Sequence, residues 1–348
     1  MLPFPAAATE LWGHAHTEQT LLGLALSGRM PHGWIFTGPA GVGKATLAFR
    51  FARFLLYRGF SPPENQNKNS SVASLDLFSE SSREQLRPTT LAVPLEAPVF
   101  AQVAAGSHPD LLVIAPDEDA RDLSVEQIRA VPPFLAKTAA LSGWRIVIID
   151  GAERMNRAAQ NALLKVLEEP SANSLLLLLS ENLGKLLPTI RSRSRVLRLA
   201  ADADRTPESL SALDPRISGL TSENRNRLWH MAGQAPGQML QLLDQDVLTT
   251  LQHLLDYAAA PDAIRADELA RGFAGAPQFQ AAARALGWLL HQIACGDAMG
   301  LPSVRMPELL KFHQESETML AETAQLNLDG VACWHELLTR FPRIFERP

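Results

Sequence analysis

Gly38-Pro39-Ala40-Gly41-Val42-Gly43-Lys44-Ala45-Thr46 is the stretch on which the reading of this chain turns. The apolar run Gly33–Thr37 precedes it, and a helical pattern over Leu47–Leu56 follows it. Strand, glycine-rich turn and helix in that order form the setting of a phosphate-binding loop. The glycines let backbone amides close around phosphate oxygens, and the helix N-terminus adds a favourable dipole. Lys44 is the cation expected to reach the β- and γ-phosphates. A bare glycine turn is the plainer reading, but the flanking strand and helix favour the phosphate loop.

Working outward, one position breaks the pattern. The motif asks for Ser or Thr after the lysine, whose hydroxyl ligates Mg²⁺, and Ala45 stands there. Thr46 is one step along a helix, about 100° away around its axis, so it does not substitute directly. The run Arg145-Ile146-Val147-Ile148-Ile149-Asp150 has the form of an acidic Walker B strand. Asp150 sits where a magnesium-proximal carboxylate belongs. A hydrolytic enzyme of this class follows it with a glutamate that orients water, and this chain has Gly151. Glu153, two residues on, is expected to face away. Groups needed for hydrolysis are thus missing while those that shape a cradle remain. The expectation is ATP or ADP held without hydrolysis, with Mg²⁺ placement in doubt.

From about residue 15 to 200, apolar runs alternate with helical patterns, the mark of βαβ units and a parallel sheet. Candidate strands are Gly33–Thr37, Leu111–Ala115, Arg145–Asp150, Ser174–Ser180 and Ser194–Leu199. The middle ones are continuously aliphatic, as strands covered on both faces should be. Residues 60–100 interrupt this rhythm with Ser, Asn, Pro and Gln, and read as a mobile surface insertion. Beyond 200 the strand signals stop. The fold class is an α/β, P-loop-type parallel-sheet domain over 1–200, a small helical lid over 201–245, and an all-α domain over 246–348. Helices such as Val247–Ala259 and Gln278–Ile293 mark the last region, where Trp288 and Trp334 fall on apolar faces.

Bulk properties narrow the function. Hydrophobic residues make up 46% and charged residues 20% of the 348, an ordinary globular balance. A net charge of −5 advertises no basic field, so any contact with DNA must be local or shared with other subunits. The two cysteines, Cys295 and Cys333, are too few for a disulfide scaffold or a thiolate zinc cluster. No secretory signal or membrane-length apolar run is apparent, which points to a soluble cytoplasmic protein.

Asn156 to Pro170 is a strongly patterned helix with a good N-cap and a proline stop. The following strand ends in Ser180-Glu181-Asn182, polar groups where a sheet edge would meet a γ-phosphate. Then come Arg191, Arg193 and Arg195 alternating with serines, read as the start of a strand. A solvated charged face is the bland reading. Their place after the nucleotide edge suggests instead an arginine able to reach a neighbouring subunit's nucleotide, a role for which a forked, permanently charged guanidinium is suited.

Four segments together resemble the delta-prime family of bacterial DNA polymerase III subunits, which are clamp-loader proteins of the AAA+ class. They are Pro31–Pro39, His108-Pro109-Asp110-Leu111-Leu112, Asn161–Pro170 and Leu187–Arg193. The resemblance covers roughly residues 12–200, and the rest only by its helical character. It implies an ATPase-like domain, a lid and an oligomerising collar. It implies partners too: a tau/gamma-like motor, a delta-like wrench, and through the complex a sliding clamp loaded on primed DNA. In that family the subunit does not hydrolyse ATP but offers the arginine of a Ser-Arg-Cys motif in trans. Here the motif reads Ser192-Arg193-Ser194, which makes Arg193 the expected trans-acting residue and puts local packing in question. Many relatives carry a four-cysteine zinc module after the first helix, but this chain has no cysteine before 295, so no zinc is expected. Gln238 stands where an ATP-hydrolysing relative would carry the sensor-2 arginine. Three alternatives stay open: an ATP-hydrolysing tau/gamma-like motor, a small-molecule kinase, and a nucleotide-free structural scaffold.

Overall fold

A computed structural model describes residues 5–59, 88–116, 122–201, 206–212, 214–297 and 299–346. The chain forms two compact units, Met1–Arg205 and Thr206–Pro348.

In the first unit the apolar runs become β1 (Gly33–Thr37), β2 (Leu111–Ile114), β3 (Arg145–Ile149), β4 (Ser174–Ser180) and β5 (Arg195–Arg198). They lie in the order β2-β3-β4-β1-β5, and every pairing is parallel. All residues of β1 and β4 are buried. Their side chains nonetheless alternate between two cores, because successive residues of a strand point to opposite faces. Trp34, Phe36, Leu175, Leu177 and Leu179 pack with α1 (Ala15–Ser27), α2 (Lys44–Arg58) and α3 (Pro98–Ala104). Ile35, Leu176, Leu178, Val147 and Ile149 pack with α4 (Val125–Arg129), α5 (Val131–Leu135), α6 (Arg157–Glu168) and α7 (Pro188–Arg193). This is the doubly covered parallel sheet of a P-loop-type α/β domain that the sequence led one to expect.

Three boundaries differ from the sequence reading. Helix α2 begins at Lys44 and not at Leu47, because Gly43 supplies a left-handed N-cap directly after the loop. Residues 60–87 of the expected insertion lie outside the described residues. The remainder is no surface loop, since Leu91, Ala97 and Val99 are buried in the first core. Arg191 and Arg193 do not start a strand either. Pro188, at the first turn where its missing N–H costs nothing, opens helix α7, and β5 begins only at Arg195.

The His108-Pro109-Asp110 segment proves structural. Asp110 is fully buried, and its carboxylate accepts the amides of Ala140, Leu141 and Ser142 at 2.6, 2.8 and 3.1 Å. It thereby shapes the turn leading into β3. Two buried arginines anchor the N-terminal segment in a similar way. Arg50 pairs with Glu18 at 2.6 Å and donates to the Thr9 carbonyl. Arg53 donates to the Ala6 and Ala8 carbonyls, and burial pushes its pKa down to about 10.

The second unit is helical: α8 (Pro215–Gly219), α9 (Ser222–Met231), α10 (Pro236–Asp244), α11 (Val247–Ala259), α12 (Ala263–Phe273), α13 (Ala276–Ala294), α14 (Met306–Leu326) and α15 (Gly330–Arg340). Trp334 is fully buried, with the rings of Phe273 and Phe279 edge-on at 5.3 and 5.9 Å. The Tyr257 hydroxyl donates to the Leu338 carbonyl at 2.9 Å and ties α11 to α15. Among the described residues, no helix is long and apolar enough to cross a membrane.

The amide bonds that converge on Asp110 hold its pKa below the usual carboxylate value, against the opposing effect of burial. A depressed pKa contributes stability above the unfolded value, near 3.9, that is lost as pH falls through the folded one. Asp110→Ala is expected to cost about 3 kcal/mol at neutral pH, by orphaning backbone donors. In denaturant melts, the gap between wild type and variant should close as pH drops below about 4; a gap that stays constant with pH would contradict this role.

Candidate functional site

The carboxyl ends of β1, β3 and β4 meet the glycine-rich loop, at the edge where open parallel sheets bind ligands. Thr37 ends β1 opposite Ser180, the last residue of β4, and the Gly38 amide reaches the Ser180 carbonyl at 3.4 Å. A Cβ on Gly38 would lie 2.1 Å from the Leu199 carbonyl oxygen, so no side chain fits where the strand turns. Gly41 and Gly43 take φ of 69° and 105°, which favours glycine. Pro39 is exposed, Ala40 is half-buried and Val42 is buried. The ring of His14 walls the loop, its Nε2 standing 2.9 Å from the Val42 carbonyl oxygen.

Lys44 is turned onto this loop. Its ammonium donates to the carbonyls of Gly38 and Pro39 at 2.9 and 2.8 Å, and Glu181 Oε1 lies 3.8 Å away. Two of its three donors are therefore spent on its own main chain. Burial lowers the Lys44 pKa, while Glu181, Asp150 and Glu153 oppose the shift. Burial raises that of Asp150; Glu153 and Glu181 act in the same direction, against the Gly151 amide and Lys44. One cation thus faces three carboxylates.

Glu153 was expected to face away, and it does not. The short turn Ala152–Arg154 brings it back across the edge, where its carboxylate accepts the Glu181 amide at 3.2 Å. Ala45 packs against the first core, and the half-buried Thr46 follows it on α2. The hydroxyl of Ser180 is buried, with no hydrogen-bond partner among the described residues. Gly151 sits at φ 70° and ψ 41°, a left-handed conformation that penalises the glutamate a hydrolytic site would place there. The loop's open amides and glycines suit a phosphate. Ala45 offers no oxygen at the position where the motif's hydroxyl would meet Mg²⁺.

Gly38 to Thr46, Asp150 and Ser180 come together as the sequence suggested; Arg193 stands apart from them. It ends α7, just before β5, and β5 begins opposite Trp34, near the amino end of β1. A Cβ on Gly33 would lie 3.4 Å from the Arg193 carbonyl oxygen. Arg193 therefore occupies the amino edge of the sheet, about 13 Å of strand from the chain's own loop. Ser180 and Glu181 do line the carboxyl edge ahead of it, but the 3₁₀ turn Leu183–Lys185 and α7 then carry the chain back past the sheet before Arg193 is reached. The exposed guanidinium pairs with Glu168 at 2.9 Å and donates to the Thr189 carbonyl at 3.2 Å. Arg195 lies over the Trp34 ring at 5.3 Å, while Arg191 is half-buried.

Sequence reasoning included Glu168 in the Asn161–Pro170 segment but gave it no role of its own. In the second unit, Gln238 is buried and donates to the Gln241 side chain at 3.2 Å.

A family model described as "DNA polymerase III, delta subunit" matches residues 88–203. A DNA polymerase III subunit delta' from Pseudomonas aeruginosa is 32% identical over 231 residues, 66% of this chain and 61% of that protein. A subunit delta' from Haemophilus influenzae is 42% identical over 96 residues, 28% of this chain and 29% of that protein. A subunit gamma/tau from Mycobacterium bovis is 26% identical over 243 residues, 69% of this chain and 37% of that protein. The chain thus spans 61% of the length of the first relative and less of the other two.

Ser194, where the arginine motif of the family would have cysteine, buries its hydroxyl without a partner among the described residues, beside the open Cα of Gly33. A thiol loses less on desolvation than a hydroxyl. Ser194→Cys should raise stability by about 1 kcal/mol in equilibrium denaturation; a destabilised variant would show that the serine is matched to its pocket.

Proposed function

We propose that the chain, similar to the subunit delta' proteins of DNA polymerase III, is a delta-prime-like clamp-loader subunit that does not hydrolyse ATP and lends Arg193 to a neighbour's ATP. One observation carries the reading: Arg193 is exposed at the sheet edge opposite the chain's own phosphate loop. An arginine there cannot serve its own loop and is free to meet a second subunit. A guanidinium brought to a γ-phosphate stabilises the charge that develops in phosphoryl transfer, and such a finger is worth on the order of 10³–10⁵ in rate.

The chain's own site supports the other half of the proposal. Ala45 removes the metal hydroxyl, Gly151 removes the water-orienting carboxylate, and Gln238 replaces the sensor-2 arginine. These departures weigh against the gamma/tau-like motor. In the proposed complex, a gamma/tau-like motor hydrolyses ATP, a delta-like wrench opens the sliding clamp, and this subunit holds the assembly while the ring closes on primed DNA. The lid of 201–245 and the collar of 246–348 supply the fixed attachment.

A second reading, a nucleotide-free scaffold, draws support from Lys44. Its bonds to Gly38 and Pro39 and the surrounding carboxylates must be displaced before phosphate can enter. Both readings leave Arg193 in the same role. Equilibrium binding of a fluorescent ATP analogue separates them, with a saturable signal favouring a held nucleotide.

In a complex reconstituted with gamma/tau-type and delta-type subunits, Arg193→Ala should lower clamp- and DNA-stimulated hydrolysis at the adjacent site by about 10³-fold or more. Assembly should be unchanged; full turnover in that complex would end the trans-acting role. Restoring the missing groups in the isolated chain with Ala45→Ser and Gly151→Glu should not create an ATPase. The glutamate would carry a backbone penalty of about 1–2 kcal/mol, so motor-like turnover in the double variant would refute the geometric block.

A further inference from the structure

Arg193 combines a fixed backbone with a lightly held side chain. At the joint where its carbonyl lies, a Cβ on Gly33 would come within 2.7 Å of Leu167 Cδ2 and 3.3 Å of Ser194 Oγ. His32 adds a bond there, its Nε2 lying 3.0 Å from the Leu167 carbonyl oxygen at the end of α6. Packing this close leaves the main chain little play, so the direction of the arginine rests on its side-chain contacts.

Those contacts are unequal. Nη1 donates to the Thr189 carbonyl and the Ser192 hydroxyl at 3.2 and 3.4 Å, both from its own helical turn. Nη2 pairs with Glu168 Oε1 at 2.9 Å, a charged partner brought from the last residue of α6. A carboxylate at that position is opposed by the helix dipole, which favours cations at a C-terminus. Glu168 is badly placed for α6 and well placed for Arg193. Arginine has five N–H donors, and these contacts engage three. Among the described residues the other two meet no acceptor, which leaves them for phosphate oxygens on a group already aimed.

We propose that Glu168 is a positioning residue for Arg193, setting the direction in which the guanidinium leaves the subunit. The inference rests on the trans-acting role assigned above. Both side chains are well exposed, at 38% for Arg193 and 49% for Glu168, so the effect is a modest shift in rotamer population and not an all-or-none switch.

The test uses the full chain in the reconstituted loader. Glu168→Ala should lower kcat of stimulated ATP hydrolysis about three- to fivefold, the most an exposed pair supports, with KM for ATP, assembly and the melting temperature unchanged. Glu168→Gln keeps an acceptor oxygen and should recover about half of wild-type kcat or more. Glu168→Ala added to Arg193→Ala should cause no further loss. A wild-type or faster kcat in Glu168→Ala, or an added loss on top of Arg193→Ala, overturns the proposal while leaving the arginine's role standing. Full turnover in Arg193→Ala sinks that role, and this proposal with it.

Discussion

The three central strands of the sheet carry no polar side chain that could be spared from the core. Ile146–Ile149, Leu175–Leu179 and Trp34–Phe36 are all buried, and alternate residues feed two separate cores. At roughly 25 cal/mol per Å² of apolar surface removed from water, such strands admit no charge between their ends. Polar chemistry is therefore confined to the two edges. The carboxyl edge receives the glycine-rich loop, Asp150, Ser180 and the carboxylates of Glu153 and Glu181. The amino edge receives Arg193 and its partner.

At the carboxyl edge the balance of charge explains more than the motif does. A phosphate loop is ordinarily a place where amides and a lysine wait for an anion. Here the lysine is already engaged by carbonyls 2.9 and 2.8 Å away and is surrounded by three carboxylates. An incoming triphosphate would meet negative charge with one buried cation to offset it, and Ala45 offers no ligand for a metal that could make up the difference. The left-handed backbone at Gly151 separately disfavours a glutamate at that position.

At the amino edge, Gly33 is the hinge of the arrangement. With no Cβ, it lets the end of α6 and the junction of α7 with β5 approach the first strand closely. Their convergence brings Glu168 and Arg193 within 2.9 Å although 25 positions separate them in the chain. The hydroxyl of Ser194 is buried at the same joint without a hydrogen-bond partner among the described residues.

Periodicity and spacing made much of this legible beforehand. Continuous aliphatic runs located β2, β3 and β4, as the covered middle of a parallel sheet requires, and short apolar runs set between helical patterns located β1 and β5. The glycine spacing and Lys44 marked the loop, and Ala45 and Gly151 could be recognised as departures from sequence alone. Three features were beyond reach. Glu153 was judged by its distance along the chain, but a 3₁₀ turn folds it back onto the edge. Leu91, Ala97 and Val99 looked like loop, since short irregular segments bury apolar residues without any period to betray them. Arg193 was placed after the nucleotide edge, when α7 had already carried it to the opposite one. The sequence by itself determined which residues are apolar, which catalytic groups are missing and where a phosphate loop must lie, because these depend on local composition and short spacings. Only the tertiary structure decided which edge each charge occupies and which charge it meets, because parallel crossovers bring distant residues together at distances no spacing encodes.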